Sequence, residues 1–316
     1  MPLSGEVEVD ESYFGGKRKG MSGLSGRFSY VLITPARNEE DFIEKTIQSM
    51  VSQSVLPKKW VIVSDGSTDR TDELVKKYLS SQPWMELLRM PERRERHFAA
   101  KATCFHAGHQ RVKGLNYDVI GNLDADISFE ADFMEYLLAQ FEQDPSLGVA
   151  GTPFLEGNFQ YDYNYVNIEH VSGQAQLFRR QCFEDIGGYI PIKGGGIDMV
   201  AVTTARMQGW KTRTFTERMF IHHKPMGTGD SSVLRARFRD GKRDYYLGGH
   251  PLWEMIRCLY KFKSKPYILC GLFLMSGYLW AYLNGVERPI SPEFIRFHRK
   301  EQMERLKKVF LRIVRG

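Results

Sequence analysis

Two carboxylates, Asp124 and Asp126, follow a short apolar run in the stretch IGNLDADISFE at residues 120–130. Side chains of an extended strand alternate between its two faces, so both carboxylates would project the same way. Converging anions repel each other unless a cation or a set of hydrogen-bond donors lies between them. Carboxylate oxygens favour Mg²⁺ or Mn²⁺, which bridge carboxylates and phosphates. An isolated pair of this kind is common by chance, so the prediction of a metal site depends on the neighbouring residues.

Two neighbouring segments supply suitable partners. The stretch VSDGSTDRT places Asp65 at the end of another predicted strand, and KATCFHAG places Lys101 on a helix between the two. Apolar strands and amphipathic helices alternate over residues 29–145, which predicts βαβ units and a parallel sheet with helices on both faces. Ligands of such sheets bind beyond the carboxyl ends of the strands, where Pro35, Asp65 and Asp124 lie. The pattern therefore favours a site for a nucleotide diphosphate with a divalent metal.

Six ordered motifs over roughly residues 29–225 resemble the family 2 glycosyltransferases. They are TPARNEE, VSDGSTD, KATCFHAG, NLDAD, LFRRQCFEDIGGY and GGGID. The resemblance implies the GT-A fold, an α/β fold with a Rossmann-like mixed sheet and helices on both faces. It also implies inverting, metal-dependent transfer of a sugar from a nucleotide sugar, most often a UDP-sugar, to a polysaccharide or lipid-linked acceptor.

The resemblance assigns the nucleotide-binding side of the site. It implies that Pro35, Ala36 and Glu39 line the nucleoside pocket. Asp65 would bind the base, and Lys101 would lie near the base or the phosphates.

The resemblance also assigns the metal and the general base. Asp124 would contact the ribose or the metal, and Asp126 would bind Mn²⁺ or Mg²⁺ directly. Asp198 of GGGIDMV would take the proton of the acceptor hydroxyl, although Ile197 stands where the family has a glutamate. A third metal ligand is expected from the two histidines of FIHHKPMG. Because adjacent strand residues face opposite ways, at most one can bind directly, and His222 is the candidate.

The last part of the chain differs in composition from the rest. Residues 1–234 carry 26 basic and 31 acidic side chains, whereas residues 235–316 carry 18 and 7. Residues 267–283 contain no charge, and seventeen residues of helix span about 26 Å, short of a bilayer core of about 30 Å. These features predict a helical tail that lies on an anionic membrane surface, with a spanning helix and a soluble core helix as alternatives.

The predicted organisation has three parts. Residues 1–28 form a flexible extension, and residues 29–235 form the glycosyltransferase domain, with a nucleotide-binding half at 29–145 and an acceptor half at 146–235. Residues 236–316 form the basic and apolar tail. The four cysteines lie far apart, and residues 1–27 contain no apolar signal segment. We therefore expect a cytoplasmic protein at the inner face of the cell membrane.

Two alternative functions can be written from the sequence. Residues 5–21 separately resemble a fragment of DDE-type insertion-sequence transposases, and the basic tail would suit a nucleic-acid-binding fusion protein. A sugar-nucleotide pyrophosphorylase of similar fold would need a glycine-rich loop after the first strand, and TPARNEE has no glycine. The interpretation as a glycosyltransferase, without nucleic acid as a partner, is favoured.

Overall fold

The computed structural model describes residues 28–92, 99–157, 159–160, 167–224, 232–262 and 265–315. Residues 5–21, with their resemblance to transposases, lie outside the described residues. The described elements alternate from strand to helix through the first half of the chain, as the sequence predicts. Their bounds are β1 (Tyr30–Ala36), α1 (Ile43–Val51), β2 (Lys59–Ser64), α2 (Thr71–Leu79), β3 (Met85–Arg89), α3 (Ala99–Val112), β4 (Val119–Leu123), β5 (Ile127–Phe129), α4 (Phe133–Gln143), β6 (Leu147–Gly151), β7 (Phe154–Glu156), β8 (Phe159–Gln160), β9 (Ala175–Arg179), α5 (Arg180–Asp185), α6 (Ile197–Met207), β10 (Lys211–Thr214), β11 (Phe220–His222), α7 (Val233–Tyr246), α8 (Pro251–Lys261), α9 (Leu269–Leu283) and α10 (Pro292–Arg315).

A seven-stranded sheet forms the centre, in the order β10-β6-β9-β4-β1-β2-β3. The pairs β4-β1, β1-β2, β2-β3 and β6-β10 are parallel, while β9 runs antiparallel to both β4 and β6. The sheet is therefore mixed, as expected for a GT-A-like α/β fold. Because β1, β2 and β4 are parallel neighbours, their carboxyl ends meet at one edge.

Alternate residues of the central strands pack into two separate layers of core. Tyr30 and Leu32 face the layer that contains residues of α1, α2 and α4. Val31 and Ile33 face the opposite layer, which contains residues of α3, α5 and α6. Strands that are buried on both faces need continuous apolar runs, which explains why β1 and β2 show no polar alternation.

Four short strands form a second sheet in the order β5-β11-β7-β8, and its first strand in the sequence, β5, follows directly after β4. In it, β11 runs antiparallel to β5 and pairs His222 with Ile127. Since Asp126 directly precedes Ile127, this pairing brings the end of β11 next to the two aspartates.

Helices α7 to α9 pack closely on one another. A Cβ atom added to Gly241 of α7 would lie 1.9 Å from the carbonyl oxygen of Leu274, and one added to Gly277 of α9 would lie 1.9 Å from that of Phe238. Glycine is needed at both places because the two backbones touch. Among the described residues, no helix combines the length and the apolarity needed to cross a membrane.

The C-terminal helices also contact the central domain. Leu247 and Phe294 are buried in the core layer that contains α6. Arg206 of α6 binds Glu301 of α10 through two hydrogen bonds of 2.6 and 2.9 Å, with both side chains largely buried. The division at residue 235 remains a prediction, and these contacts tie both sides of it together.

Candidate active site

The ends of β1 and β2 bring together the first group of predicted site residues. Pro35 and Ala36 end β1, and Asp65 follows β2, donating its backbone N–H to the carbonyl of Ala36 at 2.8 Å. The Asp65 carboxylate is buried and lies 3.6 Å from the guanidinium of Arg37. A buried carboxylate with a cationic neighbour remains an acceptor for ring N–H groups.

Asp124 follows β4 and is held by several donors. Lys101 of α3 donates from Nζ to Asp124 Oδ1 at 2.5 Å and to the carbonyl of Gly173 at 3.2 Å. Asn122, fully buried, donates from Nδ2 to the same carboxylate at 3.1 Å and to the same carbonyl at 2.6 Å. Burial raises the pKa of Asp124; Lys101 opposes this shift and the nearby charge of Asp126 adds to it. One lysine and one amide thus join Asp124 to the segment before β9.

Asp126 lies beside His222. Its side chain is 12% exposed, and the Oδ2 atom lies 3.4 Å from His222 Nε2. The other ring nitrogen, Nδ1, lies 2.8 Å from Glu156 Oε2. Burial lowers the pKa of His222, but the hydrogen bonds to Asp126 and Glu156 and the charges of Asp126 and Asp124 outweigh it and raise that pKa to about 8. The imidazole is therefore oriented by one carboxylate and directed toward another.

The neighbouring histidine faces away, as the alternation of a strand requires. His223 Nε2 lies 2.8 Å from Ser128 Oγ, and its ring stacks on Phe42.

Glu39 forms an ion pair near the same carboxylates. Its Oε1 atom accepts from Lys224 Nζ at 2.8 Å. Burial raises the pKa of Glu39, Lys224 lowers it, and the charges of Asp126 and Asp124 raise it again. The structure thus places Glu39 within electrostatic range of both aspartates.

Asp198 also lies against Gly173. It lies in the first turn of α6, directly after the loop of residues 194–196. A Cβ atom added to Gly173 would lie 2.8 Å from Asp198 Cβ and 3.0 Å from its Oδ2. The pKa of buried Tyr189 is raised mainly by its burial and further by the charges of Asp198 and Asp124. Both carboxylates therefore act on one buried group, and both are close to Gly173.

The donor set suits a divalent cation that a ligand would help to hold. Within the described residues, no group of three or more His, Cys, Asp or Glu side chains is arranged as a metal site. Asp126 and His222 offer one carboxylate and one imidazole at neighbouring positions. Mg²⁺ and similar ions are commonly bound by one or two carboxylates plus phosphates and water. Asp126 fits this pattern, and the His222 imidazole beside it would add a nitrogen ligand.

Several residues of the site were not predicted from the sequence. Asn122 shares the period-two spacing of Asp124 and Asp126, so the same rule could have included it. Glu156, Lys224 and Gly173 gave no local signal, because each comes from a distant segment.

Comparison with known proteins gives a family. The model of glycosyl transferase family 2 matches residues 31–195, just over half of the chain. A poly-beta-1,6-N-acetyl-D-glucosamine synthase of Staphylococcus aureus (strain MSSA476) is 30% identical over 170 residues, which cover 48% of this chain and 39% of that protein. The synthase of Staphylococcus epidermidis is 24% identical over 273 residues, which cover 78% of this chain and 61% of that protein. The chain thus spans less than two thirds of the length of these relatives.

Two solved structures share the fold. The mannosyltransferase PcManGT from Pyrobaculum calidifontis, in complex with GDP-Man and Mn²⁺, superposes with a TM-score of 0.56 at 20% identity, covering 86% of this chain and 73% of that one. Staphylococcus aureus TarS 1-349, in complex with UDP-GlcNAc, gives 0.51 at 14% identity, covering 85% and 79%. At such identities the likeness establishes a GT-A-like fold. With the match over residues 31–195, it follows that the chain belongs to glycosyl transferase family 2.

Proposed function

We propose that this protein transfers a sugar from a nucleotide-sugar donor, with UDP-sugars as the expected donors, to a glycan or lipid-linked acceptor. The reaction inverts the anomeric carbon and depends on Mn²⁺ or Mg²⁺. The observation that carries the proposal is the grouping at Gly173: Asp124 is joined to its carbonyl through Lys101 and Asn122, and Asp198 packs against the position of its missing Cβ atom. The relatives named above, a synthase of an N-acetylglucosamine polymer and TarS with UDP-GlcNAc, support a UDP-sugar donor.

Different residues near the strand ends bind different parts of the donor. Pro35, Ala36 and Glu39 line the nucleoside pocket, and Asp65 accepts a hydrogen bond from the base. Lys101 keeps a positive charge beside Asp124 and close to the expected position of the phosphates.

Asp126 and His222, with Asp124 beside them, hold the cation. Bound there, the metal would act as a Lewis acid that stabilises the negative charge of the leaving diphosphate. Glu156 orients the His222 ring so that Nε2 is directed toward Asp126. Such second partners fix the orientation of a ligating histidine.

Asp198 acts as the general base. In an inverting transfer the acceptor hydroxyl attacks the anomeric carbon from the face opposite the leaving nucleotide, so a carboxylate on that face must accept its proton. Asp198 lies at the Cβ position of Gly173, whereas Asp124 is joined to the Gly173 carbonyl through Lys101, and two distinct carboxylates at one place suit these separate tasks.

A donor screen tests the proposal. Purified protein is mixed with each of a panel of UDP- and GDP-sugars and Mn²⁺, and release of the free nucleotide is followed by mass spectrometry with and without excess EDTA. Release with at least one donor, abolished by EDTA and restored by Mn²⁺ or Mg²⁺, is expected. Release that persists in excess chelator would remove the metal from the mechanism.

Two variants separate the base from general damage. Asp198→Asn should bind UDP and Mn²⁺ almost as the unchanged protein does and transfer about 10²–10⁴-fold more slowly. Asp185→Asn, an exposed carboxylate at the end of α5, serves as the matched control and should transfer normally. If Asp198→Asn transfers at the unchanged rate, the base lies elsewhere.

We also propose that α8 and α9 rest on the inner, cytoplasmic face of the cell membrane. Both helices expose large apolar side chains at helical spacing: on α8 these are Leu252, Met255, Ile256, Leu259 and Tyr260, and on α9 they are Leu269, Leu272, Phe273, Leu279, Trp280, Tyr282 and Leu283. The excess of basic residues after position 234 would attract anionic headgroups, each worth about 1 kcal/mol near the surface. Such an anchor would hold the site beside a lipid-linked acceptor.

Vesicle sedimentation tests the anchor. Protein should pellet with vesicles that contain phosphatidylglycerol, and high salt should release part of it. Leu272→Glu combined with Leu259→Glu should stay in the supernatant, whereas Leu56→Glu, an exposed leucine outside the tail, should still pellet. Equal pelleting of all three proteins would refute the membrane proposal.

A further inference from the structure

The C-terminal end of α7 lies directly on the glycine loop that precedes Asp198. The hydroxyl of Tyr246 donates to the carbonyl of Gly195 at 3.3 Å. A Cβ atom added to Gly194 would lie 2.2 Å from that hydroxyl oxygen, and one added to Gly196 would lie 2.5 Å from a methyl carbon of Leu247. The last residue of α7 and the residue after it therefore cover the loop, and glycine is needed there for this close approach.

We propose that Tyr246 is a positioning residue for the transfer reaction: its hydroxyl fixes the loop of residues 194–196 and, through it, the first turn of α6 that carries Asp198. This inference rests on the proposed function, in which Asp198 is the general base. It adds a role for the helical tail in catalysis, since Tyr246 belongs to α7.

The connection from the loop to Asp198 is short. Gly196 immediately precedes α6 and has a φ of 90°, in the left-handed region that favours glycine. Its carbonyl accepts the backbone N–H of Val200 at 2.9 Å, the first hydrogen bond of the helix. Asp198 lies two residues after Gly196. A loop that shifts at residue 195 would therefore move the start of α6 and the carboxylate with it.

Tyr246 is suited to this task by its surroundings. Its ring packs against the core layer of α6 and also against the small cluster of Tyr245, Tyr278 and Ala281 between α7 and α9. Burial raises the pKa of Tyr246 to about 12, so the hydroxyl remains a donor throughout the neutral range. The residue therefore joins the central domain to the helical tail by both packing and a hydrogen bond.

The test replaces the hydroxyl and keeps the ring. Tyr246→Phe is compared with Tyr278→Phe, which loses a hydroxyl that donates to the carbonyl of Gly249 at 2.9 Å within the same helical unit. A net hydrogen bond corresponds to about three- to tenfold in rate. We expect Tyr246→Phe to lower kcat of transfer by that factor and to leave the donor KM within about twofold. Tyr278→Phe should leave kcat unchanged.

A second arm shows whether the effect passes through Asp198. In the Asp198→Asn background, Tyr246→Phe should cause no further loss, because the group that it positions is gone. Equal losses in both tyrosine variants, no loss in Tyr246→Phe, or the full additional loss in the double variant would overturn the inference.

Hydrogen exchange gives a reading that does not depend on activity. Backbone amides of residues 195–200 should exchange faster in Tyr246→Phe than in the unchanged protein or in Tyr278→Phe, while those of α3 should not change. Unchanged exchange in residues 195–200 would overturn the inference even if transfer is slowed. A protein that transfers no sugar from any donor would instead refute the proposed function, and the exchange rates would then decide the positioning of the loop.

Discussion

Replacing Gly173 with alanine tests whether the two halves of the candidate site depend on a single close contact. The backbone at Gly173 is outside the left-handed region, so alanine causes no conformational strain of its own. The new methyl group would lie 2.8 Å from Asp198 Cβ, 3.1 Å from Cγ and 3.0 Å from Oδ2. Rotation of the Asp198 side chain can move the last two atoms, but Cβ is fixed to α6. The loop or the helix must therefore move.

The size of the movement follows from these distances. Ordinary contacts of a Cβ atom begin at 3.4 Å, so the two segments must separate by at least 3.4 − 2.8 = 0.6 Å. If the loop moves, it strains the hydrogen bonds that Lys101 and Asn122 donate to the Gly173 carbonyl. If α6 moves, it carries Asp198 away from the acceptor. Misplacement by 1 Å can cost about 10²-fold in rate, so we expect transfer to slow by about 10- to 100-fold.

Initial rates of nucleotide release with the preferred donor and acceptor measure the effect, and binding of UDP with Mn²⁺ shows which segment moved. Gly114→Ala is the matched control, because an added Cβ atom there has no neighbour within 4 Å and the backbone is also outside the left-handed region. Gly173→Ala with the rate of Gly114→Ala would show that Asp198 and the Gly173 segment do not share a reaction centre.

Three further outcomes are expected. Asp126→Ala should lose nearly all turnover and the Mn²⁺-dependent part of UDP affinity in calorimetry, and unchanged Mn²⁺ dependence would exclude this carboxylate as a ligand. Since metal binding requires a neutral imidazole, affinity for UDP with Mn²⁺ should rise as the pH passes about 8, the pKa of His222. Glu156→Gln should move this rise to lower pH, and His223→Gln should not. Glu254 is buried beside Arg257, and burial raises its pKa from 4.5 to about 8. The folded state then holds the proton more tightly than the unfolded state, so the contribution of Glu254 to stability should be fully present below pH 4.5 and should be lost as the pH rises to about 8. At about 1.4 kcal/mol per pKa unit, the loss in the free energy of unfolding is at most about 5 kcal/mol. Urea unfolding of Glu254→Gln should lack this loss.

Local sequence patterns were sufficient for the elements that carry the aspartates. The buried runs of β1, β2 and β4 are mainly apolar, and a polar residue follows each at the same sheet edge. Their parallel pairing follows from the helices between them. Asp65 and Asp124 could therefore be placed at one edge, and Lys101 on a helix beside it, before any contact was known.

Contacts between distant segments could not be predicted in this way. His222 and Glu156 are 66 residues apart and meet because β11 pairs with β5 and β7 in the second sheet. Gly173 reaches Asp124 because β9 inserts antiparallel beside β4. Short strands of two to five residues have little periodicity, and nothing in their composition states which strand they join.

The surroundings of the tail could not be predicted from its composition either. Its uncharged run of seventeen residues predicts apolar surroundings, but the run does not say whether lipid or protein provides them. In the structure α9 has a packed side and an exposed side: Gly277 and Tyr278 face α7, while Leu272 and Leu283 remain exposed. Composition averages over both faces of a helix, whereas the positions of the glycines mark the buried one.

The position of Asp198 is therefore limited by two segments that are far apart in the sequence. Gly173 limits its position from the side of the central sheet, since no Cβ atom fits between them. Tyr246 and Leu247 limit the loop before it from the side of α7. A carboxylate at the start of a helix could otherwise follow every movement of the glycine-rich loop that precedes it, because glycine has the largest backbone freedom. These two contacts restrict that freedom. A general base, the role proposed for Asp198, needs such restriction if it is to meet the acceptor hydroxyl within hydrogen-bond distance.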